Sequence, residues 1–217
     1  MAKPNHSRTT NTIFNFTSSI GGQLITIIMQ FVVRTVFVHT LGKSYLGING
    51  LFSNILQMLS LAELGVGSAI IFKLYEPIST GNKHRIAVLM KFYKTVYTVI
   101  GIVVAVIGVC LIPFLPLLVK GYDRLESLNI NAVMIFILYL MQSVSSYLFF
   151  AYKSAIVKAN QKEYLLNLIK YISTIVSGIL QIILLFLFKN FELYVAVLVL
   201  AVIMENFAYA ILANKMY

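Results

Sequence analysis

Six stretches of apolar residues, each long enough to cross a lipid bilayer as an α-helix, leave this chain few folds to choose from. They run over residues 12–38, 46–72, 92–119, 128–151, 165–188 and 193–213. A bilayer needs about 20 apolar residues per helical crossing. Composition agrees: 59% of residues are hydrophobic and 11% charged, with a mean hydropathy of +0.88. An ordinary soluble domain is about one quarter charged, so too few charges remain here to cover a water-facing surface. The expected fold is all-α: a polytopic membrane bundle of six transmembrane helices, one unit over residues 1–217. No internal repeat or low-complexity segment divides it. The chain is expected to be one compact membrane unit or the first part of a longer one.

The linkers are short. Leu41-Gly42-Lys43-Ser44-Tyr45 reads as a tight hairpin, and the Pro, Gly and Asn between Pro77 and Arg85 read as a loop. Pro113 and Pro116 should disturb the last turn of the third block. The formal net charge of +10 would suit nucleic acid, but its distribution does not. The cations sit between apolar blocks, where they orient helices and meet anionic membrane lipids. With the N-terminus inside, one side holds Lys3, Arg8, Lys73, Lys83, Arg85, Lys91, Lys94, Lys153, Lys158, Lys162, Lys170 and Lys215. The other holds Lys43, Lys120, Arg124 and Lys189. This asymmetry places both termini in the cytoplasm. No nucleic acid, metal or cofactor is expected. Cys110 is the only cysteine, and His6, His39 and His84 lie near helix ends or in loops. The first block is too long for a signal peptide. The glycosylation sequons at Asn5 and Asn15 read as chance matches on this topology.

Polar residues recur within the blocks at helical spacing. The first block carries Ser19, Gln23, Thr26, Gln30 and Arg34 on one face, and the second Asn49, Ser53, Gln57, Ser60, Glu63 and Gly67. The fifth carries Lys170, Thr174, Ser177 and Gln181. The fourth contributes Gln142, Ser143, Ser145 and Ser146, and the sixth Glu205, Asn206 and Tyr209. Two readings stand. Single Ser and Thr residues serve as interhelical glue, whereas runs of Gln, Asn, Glu and Arg along five helices suit the wall of a hydrated cavity. Arg34 either snorkels to the outer headgroups or points inward as a fixed cation for an anionic substrate. Gln23, Gln30, Asn54 and Gln57 are the candidate substrate contacts beside it. Lys170 and Glu205 could form a structural ion pair. Glu63, about 13 Å deep by helical rise, has no obvious partner unless Lys170 serves it instead, and is the candidate coupling site for a proton or cation. Glu63, Lys170, Glu205 and Asn206 make up the coupling and cavity set. Gly101, Ala105 and Gly108 allow close helix approach in the third block. The Phe and Tyr residues read mostly as interface anchors or packing. No phosphate-binding loop or catalytic set occurs, so an enzyme is not expected.

Three segments carry a family resemblance. Leu59-Ser60-Leu61-Ala62-Glu63-Leu64-Gly65-Val66-Gly67-Ser68-Ala69-Ile70, followed by Leu74-Tyr75-Glu76-Pro77-Ile78, resembles polysaccharide-export flippases. So does Tyr152-Lys153-Ser154-Ala155-Ile156 with Ala159-Asn160-Gln161-Lys162-Glu163-Tyr164. The third is the start, where a basic tail leads to Asn15, then Arg34, Leu41-Gly42 and Tyr45-Leu46-Gly47. The family is the Wzx-like branch of the multidrug/oligosaccharidyl-lipid/polysaccharide exporter superfamily. The resemblance implies translocation of undecaprenyl-diphosphate-linked oligosaccharide to the outer leaflet of the bacterial plasma membrane. It implies two six-helix lobes around a cationic cavity, with Arg34 as a diphosphate or sugar contact and Glu63 as the acidic residue of the second motif. This chain would be the N-terminal lobe. Its partners would be the lipid-linked oligosaccharide, membrane lipids, a second lobe or a homodimer copy, and the glycan polymerase and transferases of the pathway. The alternatives are one lobe of a cation-coupled drug antiporter and a non-transporting scaffold for glycan-synthesis enzymes.

Overall fold

The computed structural model describes residues 8–60, 65–119, 122 and 131–216. Long helices dominate: α1 (Arg8–Leu41), α2 (Lys43–Ser60), α3 (Val66–Ser79) and α4 (Lys83–Leu111). A 3-10 turn, Ile112–Phe114, leads to the short α5 (Leu115–Leu118). Then come α6 (Ala132–Leu148), a 3-10 turn at Ala151–Lys153, α7 (Ser154–Ala159), α8 (Glu163–Phe188) and α9 (Phe191–Met216). Among the described residues there are no strands. In hydrocarbon a helix satisfies its own backbone. Thr26, Thr35 and Thr40 do the same for their hydroxyls, donating to the carbonyls of Gly22, Phe31 and Val36 at 3.0, 2.8 and 2.8 Å. Asn82, Asn131 and Asn190 start helices by accepting from the backbone N–H three residues on, at 3.0, 3.0 and 2.9 Å.

Among the described residues, four helices are long and apolar enough to span a bilayer: Phe14–Leu41, Lys83–Leu118, Glu163–Phe188 and Phe191–Met216. A fifth span results if α6 and the helix ending at Ala159 count together across a 43° bend. The bend occurs at Phe150, which adopts φ 60. The faces of these helices are apolar and bare. Phe31 is 72% exposed on α1 and Leu117 84% on α5. Apolar surface of that extent belongs in lipid, and the protein is a helical membrane protein.

The expected span over residues 46–72 differs most from this picture. It is described as α2 and α3, with Gly65 at φ 91 just before Val66. A residue in the left-handed region cannot continue a right-handed helix. Residues 61–64, including Glu63, lie outside the described residues, as do Lys3, His6, Lys120 and Arg124. The loop expected from Pro77 to Arg85 shrinks to three residues, because Pro77 is buried inside the last turn of α3 and Asn82 already caps α4. The third span begins earlier than expected, at Lys83. The prolines at 113 and 116 do break its regularity, with Pro113 in the 3-10 turn and Pro116 in α5.

The bundle has two distinct ends. Phe191 packs on Phe37 and Tyr45 at 5.3 and 5.6 Å between ring centroids, joining the α1–α2 and α8–α9 turns at one end. At the other, Asn15 of α1 clasps the turn before α8, donating to the Gln161 carbonyl at 3.1 Å and accepting from the Tyr164 N–H at 2.7 Å. Lys153 donates to Asn214 of α9 at 2.7 Å at this same end. The start of α1 and the end of α9 therefore lie at the same end of the bundle. Between them α1 packs chiefly on α8, α9 on α6 and α8, and α4 on α6. Glycines set two of these seams. A Cβ on Gly22 would enter the Tyr171 ring, and one on Gly108 would enter the side chain of Leu140. Gly101 lies 3.2 Å, measured from an ideal Cβ, from the Tyr147 Cβ. Gly101 and Gly108 thus serve the close approach that their spacing suggests.

Candidate functional site

A cavity of about 480 Å³ opens near the end of the bundle that carries the α1–α2 and α8–α9 turns. Five helices contribute to it. α1 presents Gln30 and Arg34, α2 Asn49 and Ser53, and α6 Tyr139 and Gln142. α8 adds Thr174, Ser177 and Gln181, and α9 adds Tyr194. The helical spacing explains the convergence. Gln30 and Arg34 are one turn apart, as are Asn49 and Ser53, so each pair looks in one direction. Val33 and Phe37, on the adjoining face of α1, are buried and hold that face against the bundle.

Inside, the polar groups are fixed from behind. The Tyr139 hydroxyl donates to Asn49 Oδ1, tying α6 to α2. Gln181, buried, donates from Nε2 to the Tyr194 carbonyl at 3.2 Å, tying α8 to α9. Arg34 is exposed to the cavity. Among the described residues it makes no ion pair, and no Asp or Glu lines the cavity with it. Amide and hydroxyl groups around a lone guanidinium suit an anion with attached hydroxyl groups. Among the described residues no group of three or more His, Cys, Asp or Glu could hold a metal.

The expected site residues divide. Arg34 and Gln30 line the cavity; Gln23 and Gln57 lie exposed on the same helix faces, nearer the opposite end. Asn54 is exposed on α2 beside that face and does not line the cavity. Asn206 is buried and donates to the Ser145 carbonyl at 3.0 Å, so it joins α9 to α6 and is not a cavity group. Lys170 and Glu205 are not paired. Lys170 follows the face of α8 that leads to Thr174, whereas Glu205 borders a different groove and accepts from the Tyr209 hydroxyl. The described ion pairs are instead Arg85–Glu76 at 3.0 Å and Lys158–Glu163 at 3.5 Å, both near helix ends. Ser18 and Ser19 are interhelical glue, meeting the Asn167 amide at 3.4 and 3.1 Å. Tyr139 and Tyr194, which composition assigns to packing or interface anchoring, are cavity residues. The signal that could have found Tyr139 is its spacing, three residues before Gln142 on one helix face.

Comparison with family models, with curated proteins and with solved structures finds no match. The fold and the apolar surface define the class: a polytopic helical membrane protein with a cation-bearing cavity of mixed polar and apolar lining between its helices.

Proposed function

We propose that this chain is one lobe of a flippase that carries undecaprenyl-diphosphate-linked oligosaccharide across the bacterial plasma membrane during capsule, O-antigen or exopolysaccharide synthesis. The observation that carries the reading is Arg34, a guanidinium with no carboxylate partner among the described residues, facing a 480 Å³ cavity to which several amides and hydroxyls contribute. Diphosphate oxygens match the guanidinium fork, and sugar hydroxyls match the amides. The resemblance of the segments around Asn15, Leu59–Ile70 and Tyr152–Tyr164 to polysaccharide-export flippases supports the same reading.

The half-chamber geometry fits one lobe of two. Gln23, Gln30 and Arg34 on α1 and Gln57 on α2 are exposed at positions within apolar helices. Polar groups at such depth face protein or a water-filled cavity. A second lobe, or a second copy of this chain, would close the chamber. In this reading α2 and α3 together make the sixth, interrupted span, and the basic end of the bundle is cytoplasmic.

The test uses the complete or complemented transporter. Arg34→Ala is expected to abolish polymer export while membrane insertion and abundance are retained. Arg34→Lys, which keeps charge but loses the fork, is expected to retain a fraction of it. Normal export by the alanine variant would overturn the role.

A further inference from the structure

A second concavity of about 320 Å³ runs along the lipid-facing seam of α8 and α9. Its walls are apolar: Ile172, Val176 and Leu180 from α8, and Val197, Leu200 and Met204 from α9. Val197 is buried, and the other five side chains remain exposed, with Met204 at 67%. Ser177 lines both this groove and the Arg34 cavity, so the two meet on one turn of α8. From Leu180 to Ile169 the groove follows α8 for about 16 Å by helical rise. Charge gives it a direction. Arg34 belongs to the cavity near one end, and Glu205 borders the groove toward the other, its carboxylate tied back to Tyr209. An anionic head is thus attracted to the Arg34 end and repelled from the Glu205 end.

We infer that the groove between α8 and α9 holds the hydrocarbon chain of the anionic amphiphile whose head group enters the Arg34 cavity. The inference rests on the proposed function and adds where the lipid portion runs. Three observations support this occupant: a wall shared with the Arg34 cavity at Ser177, an apolar wall open to lipid, and a charge gradient matching head-to-tail orientation. Lipid tails are as apolar as leucine, so leaving bulk lipid gives the chain little hydrophobic gain. The groove acts by alignment, keeping the head at high effective concentration near Arg34.

The test uses the full chain in lipid nanodiscs and a farnesyl diphosphate analogue with a photoreactive group at the far end of its chain. Cross-linked peptides are mapped by mass spectrometry, with and without excess inorganic pyrophosphate. Labelling is expected to concentrate in residues 169–180 and 197–208, and to fall at least fivefold with pyrophosphate or in Arg34→Ala. Ala201→Trp, which fills the groove, is expected to move the labelling elsewhere while pyrophosphate still competes. Labelling spread evenly over the other lipid-facing helices, yet still sensitive to pyrophosphate, would overturn the groove and leave the head site standing. Labelling unchanged by both pyrophosphate and Arg34→Ala would overturn the head site and the inference with it.

Discussion

Gly22 sits where α1 crosses α8, and the space a side chain would need there is already filled by the Tyr171 ring. Overpacking a well-filled seam costs about 1–3 kcal/mol. Gly22→Val should therefore lower the melting temperature of the detergent-solubilised protein by several degrees. Gly47→Val is the control, because nothing lies within 4 Å of a Cβ at Gly47. Tyr171→Ala in the Gly22→Val background should recover part of the loss, and equal melting temperatures for the two single variants would refute the steric account. The sequence reads well where a residue's role follows from its spacing. Gly101 and Gly108, seven residues apart, were readable as a seam, and Arg34 with Gln30 as a cavity face. Gly22 was not, since its importance depends on a tyrosine 149 residues further along the chain. Asn206, expected among the cavity groups, bonds instead to the Ser145 carbonyl, and the difference has a related cause. A buried amide suits a cavity wall and a cross-helix bond to Ser145 equally well, and only the neighbouring helix decides between them.

At the scale of elements, the long apolar blocks were legible because a bilayer imposes their length and composition directly. The interruption between α2 and α3 was not. Apolar content over residues 46–72 is insensitive to a single dihedral angle, and Gly65 falls inside a block whose composition alone suits one continuous span. The structure places Gly65 at φ 91 with open space where a Cβ would go. A non-glycine residue there meets a backbone cost of about 1–2 kcal/mol and no steric one. Gly65→Ala should thus lower the melting temperature modestly, whereas Gly67→Ala, within α3, should hold or raise it by favouring helix. If Gly65→Ala is as stable as the parent, the left-handed turn is not what ends the apolar run before α3. Pro77 shows the opposite error. As a residue type it signals a loop, yet it sits in the last turn of α3, and because Asn82 already caps α4 only three residues separate the two helices.

The whole molecule puts the α1–α2 and α8–α9 turns at one end and gathers Asn15, Gln161, Lys153 and Asn214 at the other. The cations follow the same division. Lys43 and Lys189 flank the first two turns, while Lys83, Arg85, Lys158, Lys162 and Lys215 belong to the opposite end. Basic loops stay in the cytoplasm, so the mouth of the Arg34 cavity should lie toward the outer leaflet. Cysteine labelling tests this directly, because Cys110 is the only native cysteine and Cys110→Ser gives a clean background. In intact cells a membrane-impermeant maleimide should reach Ser44→Cys and Asn190→Cys. Thr80→Cys and Lys215→Cys should react only after permeabilisation. A uniform reversal would invert the protein and turn the cavity toward the cytoplasm. Labelling that split Ser44 from Asn190 would break the bundle itself, since Phe191 packs against both Phe37 and Tyr45 and holds the two turns together. The position of the cavity thus depends on the charge asymmetry for its orientation and on the aromatic cluster for its place in the fold, and the four cysteines separate the two.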